Sequence, residues 1–206
     1  WWKRQCTQYI TLQETLRDFS YFQYQCYNYL FDPCSALCLI LVAMALNPAQ
    51  QKKKEQILSG FKFWLYLISS VPMGWIAGMR IRSLDESKCV TSVPFKWLTK
   101  NPFKSMYFAV QSMAAELSTA VPCLLAVQGH KPSVAFIIVD MKASFIKKAT
   151  DRVFFTCEDV PNAFKAVEKC ISRQVAQTTT FKTIGKMKDG TVVAEFEFTW
   201  SFKQRG

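Results

Sequence analysis

A single carboxylate inside a long apolar stretch is the feature of this chain best suited to chemistry. Glu116 follows Met113-Ala114-Ala115 and precedes Leu117, so it loses hydration unless something pairs with it. That raises its pKa and makes it a candidate general base or nucleophile. The competing reading is a carboxylate at a solvated or subunit-facing edge of a helix, and periodicity does not separate the two. Upstream, Asn101 sits in the Asn-Pro turn of WLTKNPFKS, just ahead of a helix that starts near Met106. The first turn of a helix offers unpaired backbone N–H groups and the positive end of a dipole, where a developing oxyanion is best stabilised. The Asn101 amide could supply a second donor there, although Asn-Pro also serves plain turn geometry.

The elements that must hold these groups follow from hydrophobic periodicity. Ile57 to Val71 carries Ile57, Phe61, Trp64, Leu65 and Ile68 at helical spacing as far as Pro72. This predicts one helix whose apolar stripe belongs to the core rather than to a membrane anchor. Met79 to Leu84 and Cys89 to Phe95 predict a hairpin around Asp85-Glu86-Ser87-Lys88. Met106 to Val121, rich in Ala, Met and Leu, predicts a mostly buried helix ended by Pro122. Val134 to Ile146 and Val153 to Glu158 read as strands, and Asn162 to Arg173 as a short helix after Pro161. Thr178 to Lys188 and Thr191 to Phe202 flank the hairpin dipeptide Asp189-Gly190, and the second arm sets Val192, Ala194, Phe196, Phe198, Trp200 and Phe202 against Thr191, Glu195, Glu197 and Thr199. The sum is an α+β fold: an N-terminal helix, then an antiparallel sheet whose apolar face is covered by one long helix.

Composition bounds the function. A chain of 206 residues, half of them hydrophobic and a fifth charged, buries one sizeable core. The net charge of +11 points to an anionic partner, whether nucleic acid, an acidic membrane surface or a phosphorylated coenzyme. Nucleic acid ranks last, since the only basic run is Lys52-Lys53-Lys54 and no aromatic RNA-binding motif accompanies it. The eight cysteines form no CxxC and no paired clusters, which reads as free thiols in a reducing, cytoplasmic setting. The one histidine, His130, lies in the loop-like Gln128-Gly129-His130-Lys131-Pro132, so no metal site is expected. Ser35 to Leu46 is too short an apolar run for a membrane span. Residues 1–43 differ from the rest in holding four of the eight cysteines and five of the seven tyrosines. They are expected to be an atypical extension, not native to the protein, ahead of a domain over residues 44–206; a genuine extra helical segment is the alternative.

The element order and the pattern Asn101, five residues, Tyr107, eight residues, Glu116 resemble the 4-hydroxybenzoyl-CoA thioesterase superfamily of hotdog proteins. The likeness is to its phenylacetate-pathway-type branch, and within that to a subgroup with Asn-Pro-Phe before the helix and Glu inside it. It spans about Phe61 to Phe202, and Ile138-Val139-Asp140-Met141 looks like that family's third strand. It implies a sheet of about six strands wrapped around a long helix, and a homodimer with sheets joined edge to edge, or a tetramer formed by pairing of such dimers. By position, Asn101 and the backbone N–H of Phe108 would polarise a thioester carbonyl, and Glu116 of the opposing subunit would activate water or attack directly. Tyr107 stands where the family has His, Phe108 and Ala109 where it often has two glycines, and Ile138 where some members have a water-holding Ser or Thr. Coenzyme A would enter as part of the substrate, with Lys142, Lys147 and Lys148 as candidate phosphate contacts. The Phe and Met content favours a hydrophobic acyl group, on coenzyme A or on a carrier protein. The departures keep a second reading open, an acyl-CoA-binding hotdog protein without turnover. Dehydratases of this fold rely on a catalytic His that His130 is badly placed to supply.

Overall fold

The computed structural model describes residues 46–205; the expectation for residues 1–43 lies outside them. The order is α1 (Pro48–Leu58), α2 (Gly60–Ser70), α3 (Pro72–Ala77), β1 (Arg80–Leu84), β2 (Cys89–Val93), a 3-10 turn (Trp97–Thr99), α4 (Phe108–Ala126), β3 (Val134–Phe145), β4 (Val153–Cys157), α5 (Val160–Arg173), β5 (Gln177–Met187) and β6 (Val192–Gln204). The six strands form one sheet in the order β1-β2-β4-β5-β6-β3, antiparallel throughout. An α+β fold with a central helix against an antiparallel sheet is therefore what the residues build.

The long helix α4 is the core. Ala114, Ala115, Ser118 and Cys123 are fully buried, and their small side chains let the sheet come close. Three polar bonds pin it there: Thr91 Oγ1 donates to the Ala114 carbonyl (2.7 Å), Ser118 Oγ to Thr183 Oγ1 (2.8 Å) and Trp200 Nε1 to Thr119 Oγ1 (3.1 Å). α4 is also long and apolar enough to cross a membrane, but here the sheet encloses it. Pro122 does not stop it, contrary to expectation, and the helix runs on to Ala126. A proline inside a helix costs about 3 kcal/mol. Burial of Cys123, Leu125 and Ala126, at roughly 1.5–3 kcal/mol for a leucine-sized side chain, outweighs that cost.

The predicted single N-terminal helix is three. Ser59 is extended (φ −70°, ψ 107°) and separates α1 from α2, while Pro72 opens α3. α1 begins at a reciprocal cap between Asn47 and Gln50. The same two side chains tie it to the end of α4: Asn47 Nδ2 donates to the Gln128 carbonyl (3.0 Å) and Gln50 Nε2 to that of Ala126 (3.2 Å). Gly129 makes room for this, since at φ +80° a Cβ would lie 2.9 Å from Asn47 Oδ1. The stripe assigned to the core is also corrected: Phe61, Trp64, Leu65 and Ile68 are exposed, while Phe63 and Leu67 are buried.

The last hairpin turns at Asp189-Gly190, with the Gly190 N–H donating to the Met187 carbonyl (3.0 Å). A register shift at Gly185/Lys186 moves the core position from Val192 to Val193. Beyond it Ala194, Phe196, Phe198, Trp200 and Phe202 line the core as expected. Gly185 lies under the fully buried ring of Phe155, and a Cβ there would sit 2.5 Å from Phe155 Cε1. Gly185→Ala is expected to cost about 1–3 kcal/mol by overpacking, read as a lower denaturant midpoint at unchanged slope; an unchanged midpoint would contradict this packing.

Candidate active site

One face of α4 is left uncovered by the sheet. Met113, Glu116, Leu117, Ala120, Val121 and Leu124 recur at helical spacing along it and line a cavity of about 560 Å³. α1 and α2 close it with Lys53, Ile57, Lys62, Phe63 and Tyr66, and Phe136 of β3 and Trp200 of β6 form the far wall. Trp200 is held by its indole bond to Thr119, whose hydroxyl also donates to the Glu116 carbonyl (2.9 Å). Lys53 lies 5.9 Å from the centre of the Tyr66 ring.

Glu116 is the carboxylate in this wall. Among the described residues its side chain has neither hydrogen bond nor ion pair, so burial alone acts on it and pushes its pKa from 4.5 up to about 7. Such a group changes charge near neutral pH, which suits a base. The buried thiols of Cys89, Cys123 and Cys157 are pushed up as well, chiefly by desolvation, and are poor nucleophiles.

Asn101, Tyr107 and Phe108 gather at the start of α4. Asn101 Oδ1 accepts from the N–H groups of Phe103 (3.0 Å) and Ser105 (3.2 Å) and from Ser105 Oγ (3.2 Å). The turn thus engages the oxygen, and Nδ2 has no hydrogen-bond partner among the described residues, so turn geometry and oxyanion chemistry are compatible. Tyr107 caps the helix in extended conformation, and its ring meets that of Phe108 at 4.9 Å. The N–H groups of Phe108 and Ala109 open the helix and have no place in its ladder. Glu116 lies about 12 Å further along the axis, so within one chain it and Asn101 do not converge.

Lys147 and Lys148 belong to the segment that follows β3, and Lys147 lies near Asp189 of the last hairpin. That segment packs at the start of α4 through the bond from Met106 N–H to the Ala149 carbonyl (2.7 Å) and through Phe108 against Phe145 (6.3 Å). Lys142 instead stands on the outward face of β3, opposite Glu197. Ile138 is half-buried opposite Trp200, and His130 is half-exposed with Nε2 3.1 Å from the Ala126 carbonyl. Sequence reasoning missed the cavity's cover, Lys53, Lys62 and Tyr66, although the α4 face it covers is visible as a spacing of three and four from Met113 to Leu124.

No protein-family model matches the sequence, and no curated protein does. Solved structures do match the fold. A probable thioesterase of unknown function from Pseudomonas aeruginosa superposes with a TM-score of 0.60 at 16% identity, covering 70% of this chain and 96% of that one. A candidate thioesterase from Shewanella oneidensis gives 0.59 at 12%, covering 72% and 98%. A protein of unknown function from Chlorobaculum tepidum gives 0.60 at 11%, covering 76% and 97%. The chain shares the fold of these structures, an antiparallel hotdog-like sheet against a long central helix.

The raised pKa fixes a sign. Between pH 4.5 and about 7 the folded chain keeps a proton on Glu116 that the unfolded chain has released. The stability this proton represents is therefore full below pH 4.5 and lost as pH rises through about 7. Glu116→Gln is expected to be more stable than the parent at pH 8, by on the order of 3 kcal/mol and hence with a higher unfolding temperature, and equally stable at pH 4. A variant less stable at pH 8 would mean that Glu116 is paired in solution.

Proposed function

We propose that this protein is an acyl-CoA thioesterase acting on hydrophobic acyl groups, with Glu116 as general base. The observation that carries the reading is the unpaired Glu116 carboxylate in an apolar cavity, with a pKa of about 7. The likeness of the fold to thioesterase structures supports it. Water attacks the thioester carbonyl carbon and gives its proton to Glu116. The oxyanion is held by Asn101 Nδ2 and the N–H of Phe108. Collapse breaks the C–S bond, and the proton passes from Glu116 to the departing thiolate, leaving the free acid and coenzyme A.

A homodimer brings the separated groups together, Glu116 of one subunit facing the Asn101 turn of the other. β3 supports this: among the described residues it is a 12-residue edge strand bonded on one side only, to β6. Ile137, Val139 and Met141 are exposed along it, and an edge this long and apolar invites a partner strand. In this reading Lys142, Lys147 and Lys148 are the residues assigned to contact coenzyme A phosphates. Buried free thiols fit a reducing cytoplasm.

The test is hydrolysis across an acyl-CoA chain-length panel. The parent is expected to turn over, with a rate rising as pH climbs through about 7. Glu116→Gln is expected to lose at least about a hundredfold in kcat, and Asn101→Ala about tenfold to a hundredfold. Sedimentation should give twice the chain mass of 23.7 kDa. Tight acyl-CoA binding with equal traces of turnover in parent and Glu116→Gln would replace the enzyme by a non-catalytic acyl-CoA carrier.

A further inference from the structure

Apart from the β3 edge, many of the large apolar residues left exposed lie on α2, α3 and the loop before α4. On α2, Phe61 is 69% exposed, with Trp64 and Ile68 beside it; on α3, Met73, Trp75 and Ile76 are exposed. Phe61 stacks on Trp64 within α2 (6.2 Å), and the two helices meet through the rings of Trp64 and Trp75 (6.5 Å). α3 in turn joins the loop before α4, where Lys96 Nζ donates to the Ile76 carbonyl (2.8 Å). In that loop Trp97 is 76% and Phe103 74% exposed, with Leu98 between them. A monomeric protein rarely exposes so large an apolar patch without a partner for it.

The charge around this band has one sign. Between Glu55 and Glu116 the only acidic residues are Asp85 and Glu86, in the turn at the far end of β1 from α3. Glu86 is moreover paired with Lys54 (3.2 Å). The band itself is flanked by Lys62, Lys96, Lys100 and Lys104. Tryptophan and phenylalanine ringed by lysine match the interface of an anionic bilayer: the rings enter the headgroup boundary and the ammonium groups stay with lipid phosphates.

We infer that this band docks the protein on the surface of an anionic lipid bilayer, without spanning it. α2 carries the band on one side and, through Phe63, Leu65 and Tyr66, closes the Glu116 cavity on the other. A docked molecule therefore holds the cavity's cover against the phase in which long acyl chains dissolve, a consequence that rests on the thioesterase reading, whereas docking itself does not.

The experiment is co-sedimentation of the full chain with vesicles of phosphatidylglycerol and phosphatidylcholine in equal parts, against phosphatidylcholine alone. The protein is expected to pellet with the first, weakly with the second, and less as salt rises. Trp64→Ser combined with Trp75→Ser, and separately Lys100→Glu combined with Lys104→Glu, should each weaken binding by at least about tenfold. Both variants should keep the parent's unfolding midpoint and its rate on a short-chain, soluble acyl-CoA, so that loss of docking is told apart from failure of the catalytic reading. A parent that stays in the supernatant with both vesicles overturns the inference. So does a Trp64/Trp75 variant that pellets like the parent, or one whose only change is a smaller oligomer, which would make the band a contact between copies of this chain.

Discussion

A helix of 19 residues with a single charge is stable only if something removes most of its surface from water, and the arrangement of this molecule follows from how α4 meets that demand. The sheet covers the face bearing Ala114, Ala115 and Ser118, whose small side chains allow close approach. At roughly 25 cal/mol per Å² of apolar surface removed from water, such a helix supplies a large part of the folding free energy. The same packing forces its backbone and hydroxyl groups to be satisfied internally, which Thr91, Thr183 and Trp200 do.

The opposite face of α4 cannot be treated in the same way, because Glu116 stands on it. Tight packing would bury an unpaired carboxylate outright, at several kcal/mol. The fold covers this face with α1 and α2, tied down at the far end of α4 by Asn47 and Gln50, and keeps a cavity beneath them. The carboxylate is thereby desolvated enough to titrate near neutrality and accessible enough to exchange a proton. Cavity and perturbed acid are one consequence of placing a charged residue in a core helix.

How much of this was legible depends on whether the signal was local. The β6 alternation and the Asp189-Gly190 turn are local, and they mark the hairpin to within a residue or two; the shift from Val192 to Val193 comes from a bulge that no periodicity announces. Glu116 was legible because a carboxylate among alanines is conspicuous. Its separation from Asn101 was anticipated as well, because Asn101 lies in the turn ahead of the helix and Glu116 two turns into it, and the resemblance assigned the two to opposing subunits. The N-terminal region was the hardest case. GFKFWLYLISS is apolar on almost every side, so spacing could not say which face would be buried. Docking geometry decided for Phe63 and Leu67, leaving the larger aromatic set outside.

That choice also explains where the charge lies. A chain with net charge +11 repels itself, and spreading the cations evenly would reduce the cost. Here the stretch between Glu55 and Glu116 carries seven Lys and Arg against two acidic residues, Asp85 and Glu86, and it includes the exposed aromatic band. Neither feature stabilises an isolated monomer: exposed tryptophan forgoes its burial energy, and clustered lysines repel. A surface that is both apolar and cationic becomes favourable only beside a partner that is apolar and anionic at once. The exposed band and the basic residues beside it are two independent departures from what folding alone would favour, and they meet where α2, which roofs the Glu116 cavity, joins α3 and the loop before α4.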